Sequence, residues 1–135
     1  KPIAEHLARH RLADLFLDAL PCNAHTTASD ALWAGLPVIT ATGETFSGRV
    51  AASLLTAVGL PELVTKNLED YAGLALALAR DKSKLADLSA KLARQREIAP
   101  LFDSLRYTKN FERALSMMCD IARAGEPPRA FAVAD

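Results

Sequence analysis

Cysteine is scarce in this chain and carries no ligand spacing: Cys22 and Cys119 are the only two, far apart, with no C-x-x-C pattern. That argues against a disulfide-stapled fold and favours a reducing, cytoplasmic compartment. An excess of charge is missing as well. Sixteen basic residues balance sixteen acidic ones, which leaves no electrostatic footprint for DNA, RNA or an anionic membrane. No nucleic acid and no membrane is therefore expected as a partner. No run approaches the ~20 consecutive apolar residues of a membrane-spanning helix, and the first residues do not build a charged-then-apolar signal peptide. There is no internal repeat and no initiating methionine, and a predicted strand follows soon after Lys1, so the chain is read as a piece of a longer protein.

Half of the 135 residues are hydrophobic, enough for one compact core and too few for two comfortable domains. Residues 4–11 read as a short helical turn carrying His6, Arg9 and His10. Residues 12–17 are apolar apart from Asp14, the pattern of a strand buried on both faces. A helix is expected from about Thr27 to Ala34, with Trp33 in the core, and a strand over Val38–Thr40. A loop with Gly43 and Gly48 then feeds an alanine-rich helix from Arg49 to Val58, which Gly59 ends. Leu63–Thr65 makes a further short strand, and Asn67 caps a helix running to about Arg80. Residues 81–99 form an amphipathic helix with Leu85, Leu88 and Leu92 on its inner face. Pro100 ends it, Tyr107 to Ala124 is the last helix, with Phe111, Leu115 and Met118 on its apolar stripe, and the tail from Arg129 has no periodicity. Alternating strands and helices predict an α/β domain with a parallel sheet, whose ligands bind beyond the carboxyl ends of the strands.

The loops after Asp18 and after Thr40 should therefore line one crevice, and the segment from Cys22 to Gly35 is the most informative part of it. The first N–H groups of a helix lack intrahelical partners and sit at the positive end of its dipole, so anions collect there. His25, Thr26 and Thr27 add side-chain donors at this point, with no carboxylate before Asp30. The dipole contributes about 0.3–1 kcal/mol per exposed anionic group, and each hydrogen bond to a charged acceptor about 1.5–3 kcal/mol. Thr27-Ala-Ser-Asp30 also fits a capping box, which needs no ligand, and the two readings are compatible.

Other residues carry alternatives. His6 and His10, four apart, fit one helix face and could suggest a metal, but no third ligand is near in sequence. Cys22, His25 and Asp30 are the parts of a nucleophilic set, yet three members within nine residues rarely converge. Glu44 is a candidate base or ribose ligand, and Thr45 with the backbone near Gly43 a candidate donor contact. Arg49 fits either a phosphate or a local carboxylate such as Glu44.

Three blocks, NAHTTASDALWAGLPVIT, GETFSGRVAAS and PLFDSLRYT, occur in that order. Together they closely resemble the cytosolic O-linked N-acetylglucosamine transferase family, family 41 of the glycosyltransferases, with its bacterial and SPINDLY-type relatives. The resemblance covers nearly the whole chain. It implies a Rossmann-like parallel-sheet C-terminal lobe of a GT-B glycosyltransferase, with long C-terminal helices: a UDP-sugar-binding lobe over residues 1–125 and a tail over 126–135. In that family tetratricopeptide repeats and a first catalytic lobe come before this one. The implied function is that of the donor-binding half of an enzyme that moves N-acetylglucosamine from UDP-N-acetylglucosamine to serine or threonine hydroxyls of proteins, with inversion. Its partners would be the UDP-sugar, a protein or peptide acceptor, the first lobe and the repeats, with no metal and no cofactor beyond the donor.

Carried over by the resemblance, His25, Thr26 and Thr27 hold the diphosphate, Asp30 takes the ribose hydroxyls, His6 lies against the uracil ring, and Arg9 occupies a nearby basic position. Ile3 stands where the family often has a lysine, and the nearest lysine in sequence is Lys1, two residues further away. The catalytic residues are implied to lie upstream. A noncatalytic nucleotide-binding or interaction module, and a related transferase with another UDP-sugar or acceptor, remain as alternatives.

Overall fold

Val38–Ala41, here β2, is the strand around which the first part of the chain is arranged: all four of its residues are buried. In the computed structural model, which describes residues 2–134, it pairs in parallel with β1 (Phe16–Leu17) on one side and β3 (Val64–Thr65) on the other. Phe16 registers with Val38, and Thr40 with Val64. The chain divides into two compact units, Lys1–Leu101 and Phe102–Asp135. The first holds α1 (Ile3–Ala8), a 3-10 turn (Arg9–Leu12), the three strands, α2 (Thr26–Ala34), α3 (Val50–Ala57), α4 (Leu68–Arg80) and α5 (Lys82–Ile98). The second holds α6 (Ser104–Arg123) and the tail. The parallel α/β arrangement expected from the alternation is present.

The core of the first unit is aliphatic: Leu32 from α2, Val38 and Ile39 from β2, Leu55 from α3, Leu78 from α4 and Leu92 from α5 are all inaccessible to solvent. Burying each such side chain contributes about 1.5–3 kcal/mol. Gly35 (φ 90°) and Gly59 (φ 79°) end α2 and α3 in the left-handed region, where a Cβ would be strained. The next residues close those ends, Leu36 N–H donating to the Ala31 carbonyl at 2.9 Å and Leu60 N–H to that of Leu55 at 2.8 Å. The Asn67 cap is present, its side chain accepting from Asp70 N–H at 2.8 Å. On α5, Leu88 and Leu92 are buried as their spacing predicts, and Leu85 is half-buried.

Three expectations are corrected. The strand predicted over residues 12–17 shrinks to Phe16–Leu17, because the chain turns through a 3-10 helix as far as Leu12, which is 90% exposed. That strand is not buried on both faces, since β1 lies at the sheet edge with one neighbour and Leu17 is 57% exposed. Trp33 is not core. Ala28, Ala31 and Leu32 form the inward face of α2, and a residue one step round the helix from Leu32 points away from it. Trp33 is half-exposed, its ring 5.6 Å from the Arg96 guanidinium, which also donates to the Trp33 carbonyl.

In the second unit α6 begins earlier than expected, at Ser104, because Asp103 caps it by accepting from Arg106 N–H at 2.9 Å. Tyr107 and Phe111, one turn apart, stack with ring centroids 5.9 Å apart. The tail forms no helix or strand over residues 126–134, and Arg113 donates to the Ala134 carbonyl at 2.9 Å.

The correction at Trp33 has a measurable consequence. Leu32→Ala is expected to cost about 2–5 kcal/mol of unfolding free energy by opening a cavity in the core, and Trp33→Ala well under half of that. Urea denaturation of the two variants, compared at constant slope, checks the order.

Candidate functional site

Asp18 ends β1 as a buried carboxylate, and both of its oxygens are used. Oδ1 accepts from Ala24 N–H at 2.7 Å, across the loop that leads to α2, and Oδ2 accepts from the Thr40 hydroxyl on β2 at 2.6 Å. Asn23 extends the network. Its amide donates to Thr40 Oγ1 at 3.3 Å, its Oδ1 accepts from Ala51 N–H at the start of α3 at 3.4 Å, and its own N–H donates to the Ser47 carbonyl at 3.0 Å. The Thr65 hydroxyl donates to the Thr40 carbonyl at 3.0 Å, and the Tyr71 hydroxyl of α4 to the Asp18 carbonyl at 2.9 Å. The loops after all three strands are thus tied to the strand ends. Burial first, and then the negative charge of Asp18, pushes the Tyr71 phenol above its usual pKa.

The loop so held delivers the chain to the start of α2. His25 is the N-cap residue, no side chain caps the helix, and its first turn holds no carboxylate. The capping-box reading is overturned here: α2 begins at Thr26, one residue earlier than expected, so Thr27 lies inside the helix. Asp30 is used elsewhere, its Oδ2 accepting from His6 Nε2 of α1 at 3.0 Å. A carboxylate only accepts, so this bond places the His6 proton on Nε2 and leaves Nδ1 bare in the neutral ring. The structure thus joins His6 to Asp30 across 24 residues of sequence. Arg9 is exposed on the 3-10 turn, and Thr26 and Thr27 are exposed at the helix start.

The second loop meets the first through aromatic edges. The His25 and Phe46 rings lie 6.4 Å apart at 84°, an edge-to-face contact. Gly43 and Gly48 bring the loop back on itself, Gly43 N–H donating to the Gly48 carbonyl at 2.7 Å. A Cβ on Gly48 would come within 3.1 Å of the Pro21 carbonyl oxygen, so the close backbone approach here is between the two loops. Thr45 Oγ1 accepts from Gly48 N–H at 3.1 Å and lies 3.2 Å from Ser47 Oγ. Arg49 donates to the main-chain carbonyl of Glu44, so of its two readings, a phosphate or a local carboxylate, the Glu44 carboxylate is replaced by the backbone of the same residue. A cavity of about 480 Å³ opens at the carboxyl ends of β2 and β3, lined by Leu20, Pro21, Thr45, Lys66 and Leu68 among others.

Cys22 and Cys119 are free and exposed. Among the described residues no group of three or more His, Cys, Asp or Glu converges on a point, and His10 Nδ1 is taken by the His6 carbonyl at 3.1 Å. Lys1 lies outside the described residues. Sequence reasoning missed the network of Asp18, Asn23, Thr40 and Tyr71. Its one visible signal was a carboxylate closing an otherwise apolar strand.

A family model described as "Glycosyl transferase family 41" matches residues 1–111. The chain is 43% identical over 131 residues to a probable UDP-N-acetylglucosamine–peptide N-acetylglucosaminyltransferase, SEC, of Arabidopsis thaliana, covering 96% of this chain and 13% of that protein. It is 41% identical over 123 residues to the UDP-N-acetylglucosamine–peptide N-acetylglucosaminyltransferase of Caenorhabditis elegans, covering 91% and 11%. Among solved structures it resembles a lysine-to-methionine mutant of Thermobaculum terrenum O-GlcNAc transferase, with TM-score 0.82, 38% identity, and 87% of this chain against 23% of that one. The chain therefore spans a small part of the length of each relative.

The polar network generates two expectations. Asp18→Ala strands the Ala24 N–H and the Thr40 hydroxyl and should cost about 2–5 kcal/mol, read from urea denaturation at neutral pH. Tyr71→Phe isolates the raised phenol. A folded-state pKa above the unfolded value means that the contribution is complete below the ordinary 10.0 and is lost as pH rises through the folded value. Wild type should lose stability above pH 10.0 more steeply than Tyr71→Phe, and parallel pH curves for the two would contradict the assignment.

Proposed function

The chain belongs to glycosyl transferase family 41, and from that premise we propose that it is the donor-binding half of an enzyme that moves N-acetylglucosamine from UDP-N-acetylglucosamine to serine or threonine hydroxyls of proteins, with inversion at the sugar carbon. The observation that carries this is the start of α2: an uncapped helix N-terminus without a first-turn carboxylate, at the carboxyl edge of a parallel sheet, with the His6–Asp30 pair beside it. The names of the relatives support the donor and the acceptor class.

In this reading residues 1–125 are the donor lobe and 126–135 its tail. The N–H groups of the first turn, with His25, Thr26 and Thr27, take the diphosphate, and Thr45 approaches from the second loop. Asp30 takes the ribose hydroxyls through Oδ1, which has no partner among the described residues. His6 faces the uracil ring, and Arg9 adds positive charge nearby. As the bond to the sugar breaks, negative charge builds on the departing diphosphate, and donors already aimed there stabilise the transition state more than the bound substrate. Each hydrogen bond to that charge is worth about 1.5–3 kcal/mol. The fixed dipole and side chains supply this stabilisation, so the scheme requires no metal and no cofactor beyond the donor. The acceptor base is assigned to no residue of this chain, and the first lobe, the tetratricopeptide repeats and the acceptor are its proposed partners. A cytoplasmic setting accords with the two free cysteines, and among the described residues no helix is long and apolar enough to cross a membrane.

Isothermal titration of the full-length protein with UDP should show saturable binding that His25→Ala and Asp30→Ala each weaken by about tenfold or more. The same variants should lower transfer to a peptide, followed by mass spectrometry of the product. Unaltered binding and transfer in both variants would remove the site assignment. UDP binding with no transfer would replace the enzyme with a noncatalytic nucleotide module, and a different sugar mass on the peptide would revise the donor alone.

A further inference from the structure

His10 lies outside the donor set proposed above, yet it touches that set twice. Its Nδ1 is 3.1 Å from the main-chain oxygen of His6. A carbonyl only accepts, so Nδ1 carries the proton and donates. Its ring meets the His6 ring edge-on, with centroids 5.2 Å apart and planes at 81°, a favourable aromatic geometry. On the other side of His6, Nε2 donates to Asp30 Oδ2 at 3.0 Å. The three residues come from three elements, His6 from α1, His10 from the 3-10 turn and Asp30 from α2.

We infer that His10 is a positioning residue that holds the His6 imidazole against Asp30, so that the face meeting the uracil ring is set before the nucleotide arrives. The inference rests on the donor reading of His6. The terminal torsion of a histidine is broad and roughly two-fold, so a ring anchored only at Nε2 can turn over, which puts a ring carbon where Nε2 stood and frees that nitrogen from Asp30. The His10 ring edge supplies a second contact, and the Nδ1 bond fixes the backbone from which His6 projects. Without them the ordering of His6 becomes a cost of binding the base. The diphosphate is held by α2 and the loops, and it should not register the change.

That asymmetry is the test. In the full-length protein, His10→Ala should weaken UDP binding by about five- to tenfold, the scale of one lost hydrogen bond with a ring contact, and leave the affinity for inorganic pyrophosphate unchanged. His10→Phe keeps the ring edge and should recover part of the loss. In the ligand-free protein, long-range proton–nitrogen correlation above the histidine titration range should show His6 as the Nε2-protonated tautomer in wild type and as a mixture in His10→Ala. Equal weakening of UDP and pyrophosphate would reduce His10 to a general structural role and overturn the proposal. An unchanged UDP affinity with an unchanged His6 tautomer would overturn it too. A wild-type protein that binds no UDP defeats the donor reading instead, and the His6 tautomer in His10→Ala then decides the positioning role alone.

Discussion

A carboxylate at the end of an apolar strand has to be fully satisfied or expelled, and the buried side chain of Asp18 is satisfied twice, by Ala24 N–H and by the Thr40 hydroxyl. Those two bonds set the path of the loop into α2 and lock β1 to β2 at the edge where a parallel sheet binds its ligands. Asn23 and Tyr71 extend the same arrangement to α3 and α4. The geometry of the site is therefore inherited from a buried polar network, and the exposed residues at its mouth can remain free of structural duties.

That separation matters for electrostatics. A helix start whose donors were already taken by a cap would have little left for an anion, and α2 has no side-chain cap. Asp30, one turn along the same helix, is engaged by His6. Positive potential thus stays at the helix start while an acidic group sits one turn along, an arrangement that suits a ligand with a diphosphate at one end and hydroxyls further on. The anion that such a helix start suits is compatible with the diphosphate of the proposed donor.

Several local signals in the sequence, in which a residue acts on its own neighbours, were reliable. Gly35 and Gly59 end helices because their backbone needs a positive φ, Asn67 caps α4 because its side chain reaches a helical N–H three residues on, and Leu88 and Leu92 face inward because their spacing matches the helix. Reading failed wherever the outcome depended on what lies across the fold. The apolar run over residues 12–17 looked buried on both faces, but a strand at a sheet edge has one neighbour. Trp33 looked like core, but α2 turns its alanines and Leu32 inward.

The same division runs through the site. Sequence by itself determined the α/β class and singled out the two loops and the residues His25, Thr26, Thr27 and Asp30 on which the proposed donor site rests, because backbone propensity, helix dipoles and hydrogen-bonding inventories are properties of short segments. Only the tertiary structure decided that Asp30 pairs with His6 and does not complete a capping box, that Arg49 serves a backbone carbonyl, that Asp18 ties the loops to the strands, and that His10 stands behind His6. Each of those depends on a distance between residues set by how β1, β2 and α2 pack, and short-range pattern carries no information about such distances.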